Sequence, residues 1–163
     1  MSLGRRSAAI VMLGVGEVGA RALLPALAAQ FAVPPAQLLL CHVIDTGVRG
    51  GLGLAHGFGP HRAVTPHRAH VVAEADREEA ARILEESTAA ARTTAASVDT
   101  VVGEGEPGRV VCGIATERGA TLVVVGARDH PAPRPGPGPG SVGHTARFVL
   151  DHAPCPVLLL REG

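Results

Sequence analysis

Tryptophan, tyrosine and lysine are absent from the 163 residues, and phenylalanine and cysteine occur three times each. So few aromatic rings leave almost no platform on which nucleic-acid bases could stack. Apart from histidine every basic side chain is arginine, and the 15 arginines and 15 acidic residues bring the formal net charge to zero. Neither nucleic acid nor an acidic membrane surface is therefore implied as a partner. No apolar run is long enough to span a bilayer, and no signal-peptide cleavage pattern follows the basic start Met1–Arg6. Cys41, Cys112 and Cys155 lie far apart without a CxxC pairing, which points to a reducing cytoplasm rather than a disulfide framework. Cys41 and Cys112 sit in apolar stretches and read as buried small hydrophobes.

What remains suits one domain with one core, spanning residues 1–163, with 1–7 flexible and 47–66 and 128–140 as long loops. Ala8–Leu13 reads as a strand that runs into Gly14-Val15-Gly16-Glu17-Val18-Gly19 and a helix from about Ala20 to Phe31. Pro34-Pro35 breaks the chain, and Gln37–Ile44 is a second buried strand ending at Asp45. A Gly- and His-rich loop follows, then a long helix from about Ala69 to Ala96. Val71, Ala75, Ala81, Leu84 and Ala91 give that helix a modest apolar face. Ser97–Gly103 reads as a strand and Pro107–Arg118 as a helix. Thr121–Val125 is a strand stopped by Gly126, Val142–Asp151 a helix, and Val157–Leu160 a short strand at a sheet edge. Strands alternating with helices imply right-handed crossovers, hence an α/β fold with a doubly wound five-stranded parallel sheet and helices on both faces.

The stretch from Gly126 to Ser141 passes through the segment PAPRPGPGPG before its helix begins. A strand, a glycine loop and a helix N-terminus aim backbone N–H groups at an anion. Ser141 either caps that helix or donates to a phosphate.

Val124-Val125-Gly126, Gly140-Ser141 and His152-Ala153-Pro154-Cys155-Pro156-Val157-Leu158 together resemble the C-terminal half of a universal stress protein (UspA-type) domain. Gly105-Glu106-Pro107 ahead of a helix is similar to that family's Gly-Asp-Pro helix start. The resemblance is close over residues 98–161 and holds in outline before them. It implies an adenine nucleotide alpha-hydrolase-like sheet of order 3-2-1-4-5, whose winding reverses between the first and fourth strands. A ligand would then lie between Gly14–Gly19 and Gly126–Ser141. The resemblance implies ATP as cofactor, with Gly14, Val15, Gly16 and Val43 on the adenosine side. Gly126, Arg128, Gly140, Ser141 and Val142 would serve the phosphates, and no metal is required. It also implies a symmetric homodimer through the unprotected edge strand Val157–Leu160. The function implied is a stress-response binding and regulatory module, with at most slow ATP hydrolysis.

The chain departs from the family pattern at four points. Asp129 stands where the loop's second glycine falls, and the span from Gly126 to Gly140 is one residue longer. Its prolines offer no N–H. Gly14 or Val15 occupies the place of an aspartate that helps to hold the adenosine.

Gly14-Val15-Gly16-Glu17-Val18-Gly19 is also a full G-x-G-x-x-G between a strand and a helix, with Asp45 ending the next strand as a ribose-binding acid would. Three readings stay open for this turn: tight packing with nothing bound, an adenine nucleotide, or a dinucleotide. Two alternatives to an ATP-binding stress protein follow. One is a nucleotide-independent dimeric stress or scaffold module whose proline-rich loop closes the pocket. The other is an NAD(P)-binding Rossmann-type domain working through Gly14, Gly16, Gly19 and Asp45. His56, His61, His67 and His70 cluster in sequence, but no carboxylate or thiolate completes a metal site, so a solvated loop is expected. Ser141, His144 and Asp129 lack the G-x-S-x-G elbow of a serine hydrolase. His144 and Arg147, early in their helix, could contact an anion at the loop, and Arg128 could pair with phosphate or with Asp129.

Overall fold

The computed structural model describes residues 9–17, 19–46, 66–127 and 142–161. Strands and helices alternate as β1 (Ile10–Val15), α1 (Leu23–Ala28), β2 (Gln37–Asp45), α2 (Pro66–Ala91), β3 (Ser97–Gly105), α3 (Pro107–Arg118), β4 (Leu122–Ala127), α4 (His144–His152) and β5 (Val157–Arg161). Every neighbouring pair is parallel, in the order β3-β2-β1-β4-β5. The expected architecture is the one observed. The expected flexible start at 1–7 and the loops at 47–66 and 128–140 lie outside the described residues, apart from Pro66, which opens α2.

The central strands read as unbroken apolar runs because helices cover both faces of the sheet. Val11, Leu13, Val15, Leu38, Leu40 and Val124 point to one side, where Leu23, Leu24 and Leu27 of α1 and Ile83 and Leu84 of α2 meet them. Met12, Leu39, Cys41, Val123 and Val125 point to the other, against Val111 and Ala115 of α3 and Ala146 and Val149 of α4. The α3–α4 contact needs a glycine. A Cβ added at Gly108 would stand 2.8 Å from three carbon atoms of Phe148.

Several boundaries differ from the sequence-based expectation. Helix α1 is shorter, because residues 20–22 form a turn whose Ala20 carbonyl accepts from Leu23 N and Leu24 N. The apolar face of α2 is Ala80, Ile83, Leu84 and Ala91, with Ser87 among them, whereas Val71, Ala75 and Ala81 are exposed. Arg77 already reaches Glu104, next to last in β3, at 3.0 Å. Among the described residues, the turns before Arg77 therefore run past the end of the sheet. Strand β4 does not stop at Gly126 but continues to Ala127, with Gly126 opposite Leu160. Helix α4 opens at His144 behind Gly143, whose φ of 94° suits glycine, so its N-cap is not Ser141.

Candidate functional site

Strands β1 and β4 connect in opposite directions, to β2 on one side and β5 on the other, so the winding reverses between them. In open parallel sheets the connections leave a crevice at such a point, beyond the carboxyl ends of the strands. Here pairing of β1 with β4 runs from Val11↔Leu122 to Leu13↔Val124, while β1 goes on to Val15 and β4 to Ala127. A crevice of that kind belongs past that last pair.

The sequence-predicted residues fall at and around this opening. Gly14 is the fifth residue of β1, opposite Cys41 of β2. A Cβ there would make only ordinary contacts, with the Val124 carbonyl oxygen at 3.6 Å and Val125 Cγ1 at 3.7 Å. Val15 has its side chain buried among the α1–α2 core residues, so only its backbone can serve a ligand. Gly16 faces open space, since an added Cβ would meet nothing within 4 Å. Val43, half-buried on β2, packs toward α3 and α4, as does Val142 just ahead of α4. Gly126 is at the end of β4, but its missing side chain makes room for Leu23, whose Cδ1 would be 3.1 Å from an added Cβ. That glycine leaves room for Leu23 whatever else it does. Arg128, Gly140 and Ser141, with Asp129, lie outside the described residues.

The glycine turn after β1 is held from outside itself. Gly19 N donates to the Gly16 carbonyl at 3.0 Å, with Gly19 at a φ of 78°. The Ala20 N–H donates to Ser87 Oγ of α2 at 3.0 Å. His42 Nδ1 lies 2.9 Å from the Val15 carbonyl oxygen and must donate, because a carbonyl oxygen only accepts. Ser87 and His42 are both buried. Neither is obvious in the sequence, although Ser87 interrupts the apolar stripe of α2 and His42 the apolar run of β2. The arrangement also bears on the dinucleotide reading. Helix α1 begins only at Leu23, and the Ala20 N–H is engaged. A dinucleotide fold instead sets its pyrophosphate on the N-terminus of the helix that opens at the glycine fingerprint.

On the other side of the sheet, the Glu106 carboxylate caps α3, accepting from Gly108 N at 3.1 Å and Arg109 N at 2.9 Å. His144, at the start of α4, has Nε2 4.0 Å from Glu106 Oε1. Arg109 lies over the Phe148 ring, 5.5 Å from its centroid. His67 and His70 lie in α2, not in a loop; His70 pairs with Glu74 at 3.3 Å, while His56 and His61 lie outside the described residues. Among the described residues no group of three His, Cys, Asp or Glu could hold a metal ion. No helix there is long and apolar enough to cross a membrane.

The three cysteines are free thiols. Burial pushes the Cys41 thiol up to about 11, and burial is also the leading cause that raises Cys112 and Cys155. None is activated as a nucleophile near neutral pH.

Two cavities flank α1. One of about 310 Å³ lies between α1 and the end of α2, walled by Leu24, Pro25, Ala28 and Ala90. A smaller one of about 160 Å³ is lined by Gly19, Ala20, Arg21, Glu86 and Ser87. The larger is away from both strand ends. The crevice, where two strand ends leave their shared ladder, is the better candidate site.

This architecture is that of doubly wound α/β proteins which bind ligands at a switch point, and comparison with known proteins narrows it. The profile of the universal stress protein family matches residues 9–161, and the chain belongs to that family. Solved structures share the fold. The universal stress protein UspA from Lactobacillus plantarum is 23% identical, with a TM-score of 0.63 over 96% of this chain and 100% of that one. A family member from Arabidopsis thaliana with AMP bound is 14% identical, with a TM-score of 0.62 over 95% and 92%. The universal stress protein from Archaeoglobus fulgidus in complex with dAMP is 20% identical, with a TM-score of 0.54 over 94% and 97%. No curated protein matches the chain.

Proposed function

We propose that this universal stress protein is a regulatory module that holds an adenine nucleotide in the crevice between the ends of β1 and β4, rather than an enzyme with turnover. The observation that carries the reading is that β1 and β4 leave their shared ladder after Leu13 and Val124, at the strand ends where the sheet reverses direction. Gly14, Val15, Gly16 and Val43 take the adenosine side. Gly126, Arg128, Gly140, Ser141 and Val142 take the phosphates. The AMP and dAMP held by relatives of the same fold support an adenine nucleotide as the ligand class, and ATP is the member that the loop pattern implies. Free, unactivated thiols agree with a cytoplasmic setting. The half-buried Val157, Leu158 and Leu159 on edge strand β5 support a homodimer through that edge.

Calorimetric titration with ATP, AMP and NADH tests the reading. Stoichiometric heat with ATP or AMP is expected. Heat with NADH alone would transfer the site to a dinucleotide bound through Gly14, Gly16, Gly19 and Asp45. Silence with all three would leave a nucleotide-independent dimeric module.

A further inference from the structure

Two side chains far apart in sequence take hold of the same short segment. His42 of β2 donates to the Val15 carbonyl at its start, and Ser87 of α2 accepts from the Ala20 N–H at its end. Both are buried, His42 at 8% and Ser87 at 2% relative exposure. The segment between them carries the open Gly16 and the left-handed Gly19. Gly19 is also where a side chain would crowd Ser87, since an added Cβ would stand 3.3 Å from Ser87 Oγ. A glycine-rich segment loses much conformational freedom when it is fixed. Anchors at both ends bear that cost in the folded protein, before any ligand arrives.

We infer that Ser87 and His42 are positioning residues, which fix Val15 and Ala20, and with them the backbone of Gly16 and Gly19, at the mouth of the crevice so that this backbone meets a ligand already in place. Neither side chain touches the ligand; each acts through the turn. The part that concerns the ligand rests on the proposed nucleotide site, while the hold on the turn does not. The Ala20 N–H is thereby an anchor and is withdrawn from anion binding.

The variants Ser87→Ala and Ser87→Thr separate this role from general packing. Alanine suits a helix interior but removes the acceptor. Threonine keeps the hydroxyl, and the small cavity beside Ser87 gives room for its methyl group. Amide hydrogen exchange on ¹⁵N-labelled protein reads the anchor itself, and AMP calorimetry reads its consequence. In Ser87→Ala the Ala20 amide should exchange at least about tenfold faster, with Leu39 and Val124 amides in the core unchanged. AMP should bind about five- to tenfold more weakly, the worth of one net hydrogen bond of preorganisation. Ser87→Thr should restore both. Unchanged Ala20 exchange in Ser87→Ala would overturn the inference, as would a Thr variant that behaves like Ala. Equal AMP affinity in wild type and Ser87→Ala would overturn the positioning role toward ligand. If the wild type gives no heat with AMP, the nucleotide reading has failed, and the exchange result alone decides whether Ser87 anchors the turn.

Discussion

Changing Gly108 to alanine puts a methyl group into the gap between α3 and α4, and the sign of its effect depends on that gap. In a helix interior, alanine is favoured over glycine by about 1 kcal/mol, which is an upper bound at Gly108, the second residue of α3. At Gly108 the new Cβ would stand 2.8 Å from Cβ, Cγ and Cδ1 of Phe148, about 0.6 Å inside ordinary van der Waals contact. Phe148 Cβ is one bond from the backbone, so a rotamer change cannot clear it, and α4 itself must shift. Overpacking of this kind costs roughly 1–3 kcal/mol. The net result is a destabilisation of about 1 kcal/mol. Gly113 lies in the same helix, where an added Cβ would meet nothing within 4 Å. Gly113→Ala should therefore stabilise the protein by up to about 1 kcal/mol. The pair differs in its surroundings and in its place along α3, Gly108 lying in the first turn and Gly113 in the middle. Urea unfolding followed by far-ultraviolet circular dichroism is the assay, because a chain without tryptophan or tyrosine offers no useful intrinsic fluorescence. A Gly108→Ala protein as stable as wild type, or more so, would refute the packing described for α3 and α4.

Glu106→Ala removes the acceptor for Gly108 N and Arg109 N, and the same urea assay should register a loss of about 1 kcal/mol. The Cys41 thiol is pushed from 9.0 to about 11 by burial. Since the unfolded thiol ionises first, stability is unaffected below about pH 9 and falls as pH rises toward 11, by about 3 kcal/mol in total. Cys41→Ser, compared with wild type across that range by thermal melts, should flatten this fall. Sedimentation velocity should give about twice the 16.6 kDa chain mass, and Val157→Asp on the β5 edge should shift it toward the monomer.

The arrangement of strands and helices was legible in the chain because burial on both faces leaves a local mark. Runs such as Gln37–Ile44 and Thr121–Val125 are apolar without alternation, and turns rich in glycine or proline separate them. Glu106-Pro107 marked the start of α3 in the same local way, through a cap and a fixed φ. The candidate site was legible in outline, since the glycine stretches at 14–19 and near 126 both fall at the reversal of the sheet. Their individual duties were not. Gly126 and Gly19 look alike in a motif, yet one makes room for Leu23 and the other sits against Ser87. The buried face of α2 is not legible in the sequence, because Val71 and Ala75 fit a helical stripe while the sheet that would bury them ends near Glu104. His42 and Ser87 could not be paired with Val15 and Ala20 from the sequence, because no local pattern joins residues 27 and 67 positions apart. Composition, period and capping are written along the chain and act over a few residues. Which buried hydroxyl meets which backbone N–H is settled only when crossover connections bring distant segments together.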